Sequence, residues 1–374
     1  MEIKIFNNIR DVPRDQWNQL LNGHSCTYSY EFWEVIEQST LNDFCYQHAL
    51  IYDDIGSAVA STSFYTITTD IAIFAPSGLR YVLAKIRRLF PNFLKLRMLE
   101  CGTPITLNKP FVARDGIANS EVIESIHNML LRTAKDNGCI IIIIRDLENE
   151  CNVLQPIFKK LAYHIVDSLP TTYMEVVWST PDSYLASMKS YYRSKVLKHL
   201  RINQDQGVRY ELREDFDDLA DVLCDHWQVV HRNADEYQRE ILTPAFYREF
   251  SSKLGSRSKV LLFYRKDELV GHALLLMDGE LLRWLYFGRN EAANDSLYIY
   301  VGCKVVETAI MLGAKRIELG LTTYSIKKDL GAYMSPIKLA LRSPWGLINP
   351  FIGIVYPLLN HTPQIQNKNI FKAR

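Results

Sequence analysis

The second half of the chain contains strand and helix patterns in an order that restricts the possible folds. Alternating apolar residues predict strands, and apolar residues at helical spacing predict helices. The series comprises a strand (208–213), two helices (217–230 and 244–254), three further strands (260–264, 269–277 and 281–287), a helix (297–312) and a last strand (316–321). The turns between the three middle strands are short, so these strands form an antiparallel meander. A meander followed by a helix and a strand predicts a mixed sheet flanked by helices.

The first half repeats this order without repeating the residues. It comprises a strand (1–6), two helices (beginning near 13 and 28), two strands (46–52 and 57–66), a helix (120–135), a strand (139–145), a helix (152–161) and a strand (173–178). The predicted fold class is therefore α/β (α+β), with two tandem domains, each a mixed, mostly antiparallel sheet flanked by helices. We expect an N-terminal domain over 1–180, a C-terminal domain over 181–342, and an apolar, charge-poor tail over 343–374.

Charge and cysteine content argue against several classes of function. The 374 residues carry a formal net charge of +1, which does not favour DNA binding through a general electrostatic surface. The seven cysteines are scattered without a CxxC spacing, so neither a zinc site nor a disulfide framework is predicted. Residues 1–6 alternate like a strand rather than a signal peptide, and no uncharged apolar run suits a transmembrane helix. Hydrolase, kinase and dehydrogenase motifs are also absent, and we expect a cytoplasmic protein without a metal site.

A polar loop between two buried elements is the strongest candidate for a functional site. Residues 322–332 carry hydroxyl groups and cations between the strand 316–321 and a following strand. Loops held between rigid elements often carry binding or catalytic residues. Lys327 and Lys328 are the cations of this loop, and Tyr324 lies three residues before Lys327. The alternative is that both lysines only hydrate the loop.

Four segments of the second half resemble a known family. They are 271–276 (GHALLL), 287–290 (FGRN), 313–320 (GAKRIELG) and 327–332 (KKDLGA). Together with the element order, they resemble the GNAT superfamily of acyltransferases, and the tandem arrangement resembles its FemAB/FemX-like and CelD-like branch. The last segment is similar to the branch's aromatic-Lys-x-x-apolar-Gly signature, with Ile326 in place of the aromatic residue. The resemblance implies two GNAT-like domains, of which the first is degenerate because nothing in 1–180 matches the lysine loop.

The resemblance implies transfer of an acyl group to an amine. This reaction needs stabilisation of the oxyanion, and a base removes a proton. By analogy with the branch, Lys327 stabilises the oxyanion or positions the donor, Tyr324 supplies a hydroxyl, and His272 is a candidate base. A lone strand histidine is, however, more often a core residue. The expected substrate-binding residues are Tyr191, Tyr192, Arg193, His226, Trp227, His231, Arg289, Glu318 and Lys328.

Some of these residues have competing interpretations. Glu318 and Asp329 are alternative bases. The Tyr191, Tyr192 and Arg193 cluster fits phosphate or headgroup binding, but also a plain helix between domains. His226 and His231 are five residues apart, which is a poor fit to one helical face, so a metal pair is not predicted.

The identity of the acyl donor is open at this stage. GNAT enzymes carry a glycine-rich loop whose N–H groups hold the coenzyme A pyrophosphate at a helix N-terminus. Here the matching junction, 288–295, lacks the second and third glycines and carries acidic residues. We expect no tightly bound cofactor, with acyl-CoA or another acyl thioester, such as one on an acyl-carrier protein, as cosubstrate. Aminoacyl-tRNA, acting on a peptidoglycan precursor, is a less favoured donor, and a non-catalytic binding or scaffold protein is a third alternative.

Two features point to a lipid or to a membrane surface. No acidic residue occurs between Ile71 and Leu99 or between Asp182 and Asp205, although both segments are rich in Lys and Arg. Residues 343–367 contain no Asp, Glu, Lys or Arg and are largely apolar. Basic and apolar segments suit an anionic membrane surface and a long acyl chain. We therefore expect a small-molecule or lipid amine acceptor, such as a sphingoid base, and peripheral attachment at the inner face of the cell membrane.

Overall fold

The structure is a computed structural model that describes residues 1–21, 23–71, 77–234, 240–293, 295–359, 362–364 and 366–372. The strands of these residues are β1 (Glu2–Phe6), β2 (Cys45–Tyr52), β3 (Ala58–Asp70), β4 (Lys95–Cys101), β5 (Val112–Ala113), β6 (Ile141–Leu147), β7 (His164–Asp167), β8 (Thr171–Glu175), β9 (Val208–Arg213), β10 (Ser258–Arg265), β11 (Glu268–Asp278), β12 (Leu281–Arg289), β13 (Arg316–Glu318), β14 (Tyr333–Ser335) and β15 (Lys338–Arg342).

The helices of the described residues alternate with these strands. They are α1 (Arg14–Gln19), α2 (Tyr30–Gln38), α3 (Ser77–Arg87), α4 (Asn119–Asp136), α5 (Gln155–Lys160), α6 (Pro181–Ser187), α7 (Ser190–Asp205), α8 (Ala220–Arg232), α9 (Pro244–Leu254), α10 (Leu297–Met311), α11 (Tyr324–Leu330) and α12 (Asn349–Leu359). Local signals explain several of their ends. The Thr243 side chain accepts a hydrogen bond from the Phe246 N–H and Pro244 follows it, so α9 begins with a filled cap.

The chain forms two units, and their boundaries differ from the contiguous domains that we expected. The first unit comprises Met1–Leu169 and Pro336–Pro363, and the second comprises Pro170–Ser335 and Gln364–Arg374. The difference arises because β8 and β15 each pair with strands that are distant in the sequence, in the sheet formed by the other half of the chain. Thus β8 lies within the expected N-terminal domain but belongs to the second sheet, and β15 lies within the expected C-terminal domain but belongs to the first.

The sheet of the first unit has the strand order β1-β2-β3-β4-β6-β15-β7, with β5 paired to β3. Every pairing in it is antiparallel except that of β4 with β6, which are joined through α4 and run parallel. A parallel pair requires a crossover connection, and α4 supplies it. Its apolar face packs on this sheet, where Val122, Ile126 and Leu130 are buried with Leu99 and Ile142.

The sheet of the second unit has the order β14-β8-β13-β12-β11-β10-β9. Again one pairing is parallel, that of β12 with β13, and the crossover helix is α10. Helix α10 is apolar on most sides because it packs against both the sheet and α7. Val301, Val305 and Ala309 of α10 are fully buried in one cluster with Leu275 and Ile317 of the sheet. The predicted fold class of two mixed sheets flanked by helices is thus confirmed.

Two segments differ from the sequence prediction. The expected loop at 322–332 contains α11, which buries Lys327, Asp329 and Leu330. The apolar residues Ile326 and Leu330 sit one turn apart, and Leu330 contacts the core, which favours a helical turn over an open loop. The expected separate tail is divided between the units: α12 belongs to the first unit, and 364–374 belong to the second.

Gly331 ends α11, the helix that carries Lys327. Its φ is +109°, and a Cβ at this position would lie 2.3 Å from Cζ of Phe371. We expect Gly331→Ala to lower the free energy of unfolding by about 2–4 kcal/mol, because it adds a steric clash to the cost of a left-handed backbone. Gly313 also has positive φ, but no atom lies within 4 Å of the position its Cβ would take. Urea unfolding should show a smaller loss for the control Gly313→Ala, and equal losses would contradict the clash.

Candidate functional site

The candidate site of the second unit lies where β12 and β13 part. The two strands pair in parallel from Leu281 with Arg316 to Arg283 with Glu318, where β13 ends. Strand β12 continues to Arg289, so its last residues pair with β11 but have no partner in β13. The ladder with β11 shifts register between Leu274 and Leu275, which pair with Tyr286 and Trp284, so Leu285 is an extra residue. Such a bulge bends a strand and commonly occurs beside functional sites.

A buried ion cluster marks the last paired residues. Arg283 forms a salt bridge with Glu318 and another with Asp278 at 3.0 Å, and all three side chains are buried. Burial alone would lower the pKa of Arg283, but the two carboxylates raise it above its ordinary value. A guanidinium fork matches carboxylates well, so this cluster holds β12 and β13 together up to the point of parting. Glu318 was expected to bind substrate, and the structure instead places it in this ion pair.

Lys327 is a buried cation of α11, the helix that follows β13. Its Nζ donates a hydrogen bond to the carbonyl oxygen of Leu321 at 2.5 Å. Burial lowers the pKa of Lys327 to about 7, and the nearby charge of Glu318 opposes part of this shift. The preceding residues Thr322 and Thr323 both have positive φ, of 61° and 49°. For residues other than glycine this backbone is uncommon, and it turns the chain sharply from β13 into α11.

Aromatic side chains cluster along the part of β12 beyond Arg283, and the sequence analysis did not select them. The Tyr298 ring stacks on Trp284 at 5.3 Å and meets Phe287 edge-on at 5.1 Å. Burial raises the pKa of Tyr298 to about 12, and a side-chain hydrogen bond with Thr323 lowers it in part. Tyr324, which was selected, donates its hydroxyl to the carbonyl oxygen of Pro170 at 2.9 Å. The signal that could have found Tyr298 is its place at the start of the helix after β12.

His272 lies in a different place, between the sheet and the helices α8 and α9. Its Nε2 lies 3.1 Å from the hydroxyl of Tyr247, and its ring packs so close to Gly288 that a Cβ there would lie 2.2 Å from it. Burial lowers the pKa of His272 to about 3, so its ring is neutral at pH 7. A group with this pKa is a weak proton acceptor at neutral pH, which favours a structural role over the role of a base.

The other predicted residues of α8 lie beside His272 or beside β12. The ring of His226 stacks on that of His272 at 6.2 Å, and burial lowers the pKa of His226. Trp227 stacks on His231 at 4.4 Å and meets Tyr286 edge-on at 6.3 Å. Burial also lowers the pKa of His231. The structure therefore brings His226, Trp227 and His231 together beside β12, on a helix separate from the Lys327 segment.

Arg289 and Asp295 occupy the N-terminus of α10. Arg289 forms a salt bridge with Asp295 at 2.9 Å and donates to the Ala293 carbonyl oxygen at 2.7 Å. Asp295 also accepts the Leu297 N–H at 3.0 Å. Burial would raise the pKa of Asp295, but these donors hold it below its ordinary value. The helix end at which GNAT enzymes hold a pyrophosphate is thus occupied by a carboxylate of the chain itself.

The remaining predicted residues lie on α7 and α11. Tyr191 is 73% exposed, and its ring meets that of Tyr192 edge-on at 5.1 Å. Tyr192 packs against the core, while Arg193 and Lys328 are half-buried. Lys195 of α7 pairs with Asp329 of α11, so α7 and α11 are held side by side. Asp329 is therefore committed to an ion pair, which weakens its earlier interpretation as a base.

The first unit buries a hydrogen-bonded chain that the sequence analysis missed. His48 Nδ1 lies 2.8 Å from Ser63 Oγ, and His48 Nε2 lies 2.7 Å from Glu37 Oε1. Glu37 also accepts the Ile9 N–H at 2.9 Å. Trp17 and Trp33 pack edge-on against the imidazole. His48 and Ser63 are cross-strand neighbours, so the alternation of β2 was the available signal. Both ring nitrogens of the buried His48 thus have hydrogen-bond partners.

The described residues suit neither a metal site nor a membrane-spanning helix. Within the described ranges, no group of three or more His, Cys, Asp or Glu side chains could hold a metal ion. None of the helices in the same ranges combines the length and the apolar character needed to span a bilayer.

Comparison with protein families gives a match over most of the chain. Residues 8–323 match the family of FemAB-like proteins, which is described by peptidoglycan biosynthesis or recognition. A putative 8-amino-7-oxononanoate synthase 2 from Mycobacterium tuberculosis is 26% identical over 328 residues. That match covers 84% of this chain and 42% of the relative, so the chain spans less than half of the length of that relative.

Solved structures share the fold at low sequence identity. The crystal structure of FemX is 12% identical, with a TM-score of 0.56, over 90% of this chain and 97% of that chain. A tandem GNAT protein from the clavulanic acid biosynthesis pathway is 9% identical, with a TM-score of 0.54, over 92% and 99%. L-PGS from Bacillus licheniformis is 12% identical, with a TM-score of 0.53, over 94% and 98%. These likenesses show a tandem GNAT fold.

The depressed pKa of Lys327 predicts a pH-dependent stability. Between pH 7 and about 10.5, the unfolded chain holds a proton on this lysine that the folded chain has released. The free energy of unfolding therefore rises with pH in this window, by up to about 1.4 kcal/mol per pH unit from this group. We expect Lys327→Met to be more stable than the wild type at pH 6, with an advantage that shrinks as the pH rises to 10. Urea unfolding at several pH values measures this difference, and a constant difference would contradict the shifted pKa.

Proposed function

This chain belongs to the FemAB-like family, and from that membership and the site at Lys327 we propose that it transfers an acyl group from a thioester to an amine. The single observation that carries the proposal is a buried lysine where two parallel strands part. Beyond Arg283, β12 has no partner in β13, and a pantetheine arm is rich in amide groups that can pair with such a strand edge. The aromatic side chains of Trp284, Phe287 and Tyr298 offer an apolar wall for the acyl group.

Lys327 stabilises the charge that forms on the carbonyl oxygen. A neutral amine attacks the thioester carbon, a C–N bond forms, and the carbonyl oxygen becomes an oxyanion. The Lys327 ammonium donates an N–H to this oxyanion in a place where burial strengthens the interaction. The intermediate then collapses and the C–S bond breaks. The proton lost by the nitrogen balances the one gained by the departing sulfur, and the products are an amide and a thiol.

The lowered pKa of Lys327 suits this role in a specific way. A lysine with a pKa near 7 is only partly protonated at neutral pH. An oxyanion beside it stabilises the ammonium and so raises the pKa of the lysine. The Lys327 ammonium is therefore less stable in the ground state than beside the oxyanion of the intermediate. Interactions that are stronger in the transition state than in the ground state accelerate the reaction. His272 contributes by shaping the sheet near β12 rather than by taking a proton.

The proposed acceptor is a primary amine beside an oxygenated carbon. The curated relative is named for the synthesis of 8-amino-7-oxononanoate, a compound with an amine next to a ketone. The chain matches 42% of that relative, and a transferase joined to an amine-forming enzyme would be supplied with an amine. A sphingoid base also carries its amine beside hydroxylated carbons. The reaction class that precedes this transferase is therefore one that forms such an amine.

A second candidate function is aminoacyl-tRNA-dependent transfer. The observation that favours it is Asp295, which occupies the N-terminus of α10 where a coenzyme A pyrophosphate would otherwise bind. A donor held elsewhere, such as an aminoacyl ester on tRNA, does not need that helix end. The description of the FemAB-like family by peptidoglycan biosynthesis or recognition also agrees with a peptidoglycan precursor as the acceptor of this alternative.

Transfer assays with Lys327 variants test the main proposal. The donors are palmitoyl-CoA and palmitoyl acyl-carrier protein, and the acceptor is a sphingoid base. We expect Lys327→Met to lower kcat/KM by roughly 10²–10³, the range found when a donor to an oxyanion is removed. Lys315 is exposed in the same unit, so Lys315→Met is the matched control and should retain activity.

The pH profile separates the two chemical roles open to Lys327. If the ammonium acts, kcat/KM of the wild type falls as the pH rises through about 7, relative to Lys327→Arg, which keeps its charge. A limb that rises through the same pH and is lost in Lys327→Arg would identify the lysine as a base. Activity seen only with aminoacyl-tRNA, and lost after ribonuclease treatment, would replace the proposal with the second candidate. Binding of a donor without turnover of any would identify a non-catalytic protein.

A further inference from the structure

One surface of the first unit exposes several apolar side chains. Leu347 is 90% exposed, and Phe351 and Ile354 of α12 are 63% and 64% exposed. Phe351 and Ile354 are three residues apart, and Val355 follows on the same helical face, so they form an outward stripe. The surrounding residues 343–367 contain no Asp, Glu, Lys or Arg. Apolar patches of this kind mark binding surfaces.

The opposite side of α12 accounts for its attachment to the first unit. Ile352 is buried, and the Asn349 carbonyl oxygen lies 2.9 Å from His164 Nε2. The Asn349 side chain donates to the Ala162 carbonyl oxygen at 3.0 Å. Gly353 allows close packing, since a Cβ there would lie 2.6 Å from the His164 ring. The inner face of α12 thus packs against the first unit, and its outer apolar stripe is exposed.

A second segment of the first unit exposes cations together with aromatic and aliphatic residues. Between Ile71 and Leu99 there is no acidic residue. The exposed cations are Arg80, Lys85, Arg88, Lys95 and Arg97, and the exposed apolar residues are Tyr81, Val82, Leu89, Phe90 and Phe93. Arg87 of the same segment is half-buried and pairs with Asp70 at 2.5 Å.

Hydrogen bonds place the two segments at the same edge of the sheet. Strand β4 begins at Lys95, and the Arg97 carbonyl oxygen accepts the Ile140 N–H at 2.9 Å just before β6. The Ile140 carbonyl oxygen in turn accepts the Ser343 hydroxyl at 2.9 Å. Trp345 donates its indole N–H to the Cys139 carbonyl oxygen at 3.3 Å. The basic segment and the approach to α12 therefore meet at the amino ends of the parallel strands β4 and β6.

We propose that this edge, formed by α12 with residues 345–348 and by the basic segment 77–97, docks the protein on an anionic lipid surface. The apolar stripe of Phe351, Ile354 and Val355 enters the interface between headgroups and acyl chains. The cations of the basic segment pair with anionic headgroups. Trp345 is half-exposed at the junction, and tryptophan is enriched at this depth of a membrane.

Charge favours a lipid surface over a second copy of the chain. A symmetric dimer through this edge would bring the same patch of both copies together. The cations of 80–97 would then face the cations of the partner across an apolar contact, which opposes association. An anionic bilayer offers both an apolar interior and the complementary charge. The proposal does not depend on the transferase reaction, because it uses residues of the first unit alone.

Vesicle co-sedimentation of the full chain tests the proposal. We expect binding to vesicles of phosphatidylcholine with phosphatidylglycerol, and much weaker binding to phosphatidylcholine alone. Phe351→Asp combined with Ile354→Asp should lower the partition coefficient at least tenfold, because charged groups resist entry into the interface. Ile55 and Val153 are also exposed apolar residues of the first unit, so Ile55→Asp with Val153→Asp is the matched control and should bind as the wild type does.

Charge reversal provides an independent measurement. Arg88→Glu with Arg97→Glu removes two exposed cations, each of which strengthens partition roughly fivefold. We expect a loss larger than 25-fold on the mixed vesicles and little change on phosphatidylcholine alone. Thermal unfolding of each variant should match the wild type, since the replaced side chains are exposed.

Two results would overturn the proposal. One is a wild type that binds neither vesicle, or both equally. The other is a concentration-dependent dimer in analytical ultracentrifugation that the Phe351→Asp, Ile354→Asp variant dissociates, which would assign the edge to contact between copies.

Discussion

The early end of the β12–β13 ladder is the constraint on which the site of the second unit depends. Pairing stops at Arg283 and Glu318, although β12 continues to Arg289. Backbone groups freed in this way need other partners when they are buried. The chain meets part of this need with side chains, since the Thr172 hydroxyl donates to the Gly320 carbonyl oxygen at 2.6 Å and Lys327 donates to that of Leu321. The lysine is thus also a structural partner of the parting strand.

The arrangement of carboxylates explains why burial dominates the pKa of Lys327. A lysine beside a free glutamate would be held in its charged form. Glu318 lies near Lys327, but it already forms a salt bridge with Arg283, whose guanidinium carries a permanent charge. The net field at Lys327 is therefore weaker than one carboxylate alone would give. Burial then outweighs the attraction, and the pKa falls to about 7.

The sequence predicted the order of elements well, because periodicity is a local property. The meander, the crossover helix α10 and the buried strand β6 all appear near their expected positions. The site was predicted less completely. Lys327 was selected by resemblance, yet its burial, its contact with Leu321 and the ring of Tyr298 depend on where distant segments meet. The exchange of β8 and β15 was not predictable from local pattern either, since a strand's own alternation does not specify which sheet it joins.

The ladder between the equivalent strands of the first unit extends further than the ladder between β12 and β13. In the first unit, β4 and β6 pair from Met98 with Ile141 to Cys101 with Ile144, so the ladder reaches the last residue of β4. Beyond it, Gly102 lies against Arg145, since a Cβ on this glycine would lie 3.3 Å from that of Arg145. Arg145 also donates to the Tyr65 hydroxyl at 2.7 Å, and its pKa is raised because Tyr65 and two carboxylates outweigh the effect of burial.

Strand β4 therefore has no extension past its parallel partner comparable to residues 284–289 of β12, and Arg145 packs beside its end. The two units share a topology but differ at this end of their parallel strands, and the buried Lys327 lies in the unit whose ladder stops early. The first unit differs in a second way, because cations and an apolar helix are exposed at the amino end of its parallel strands.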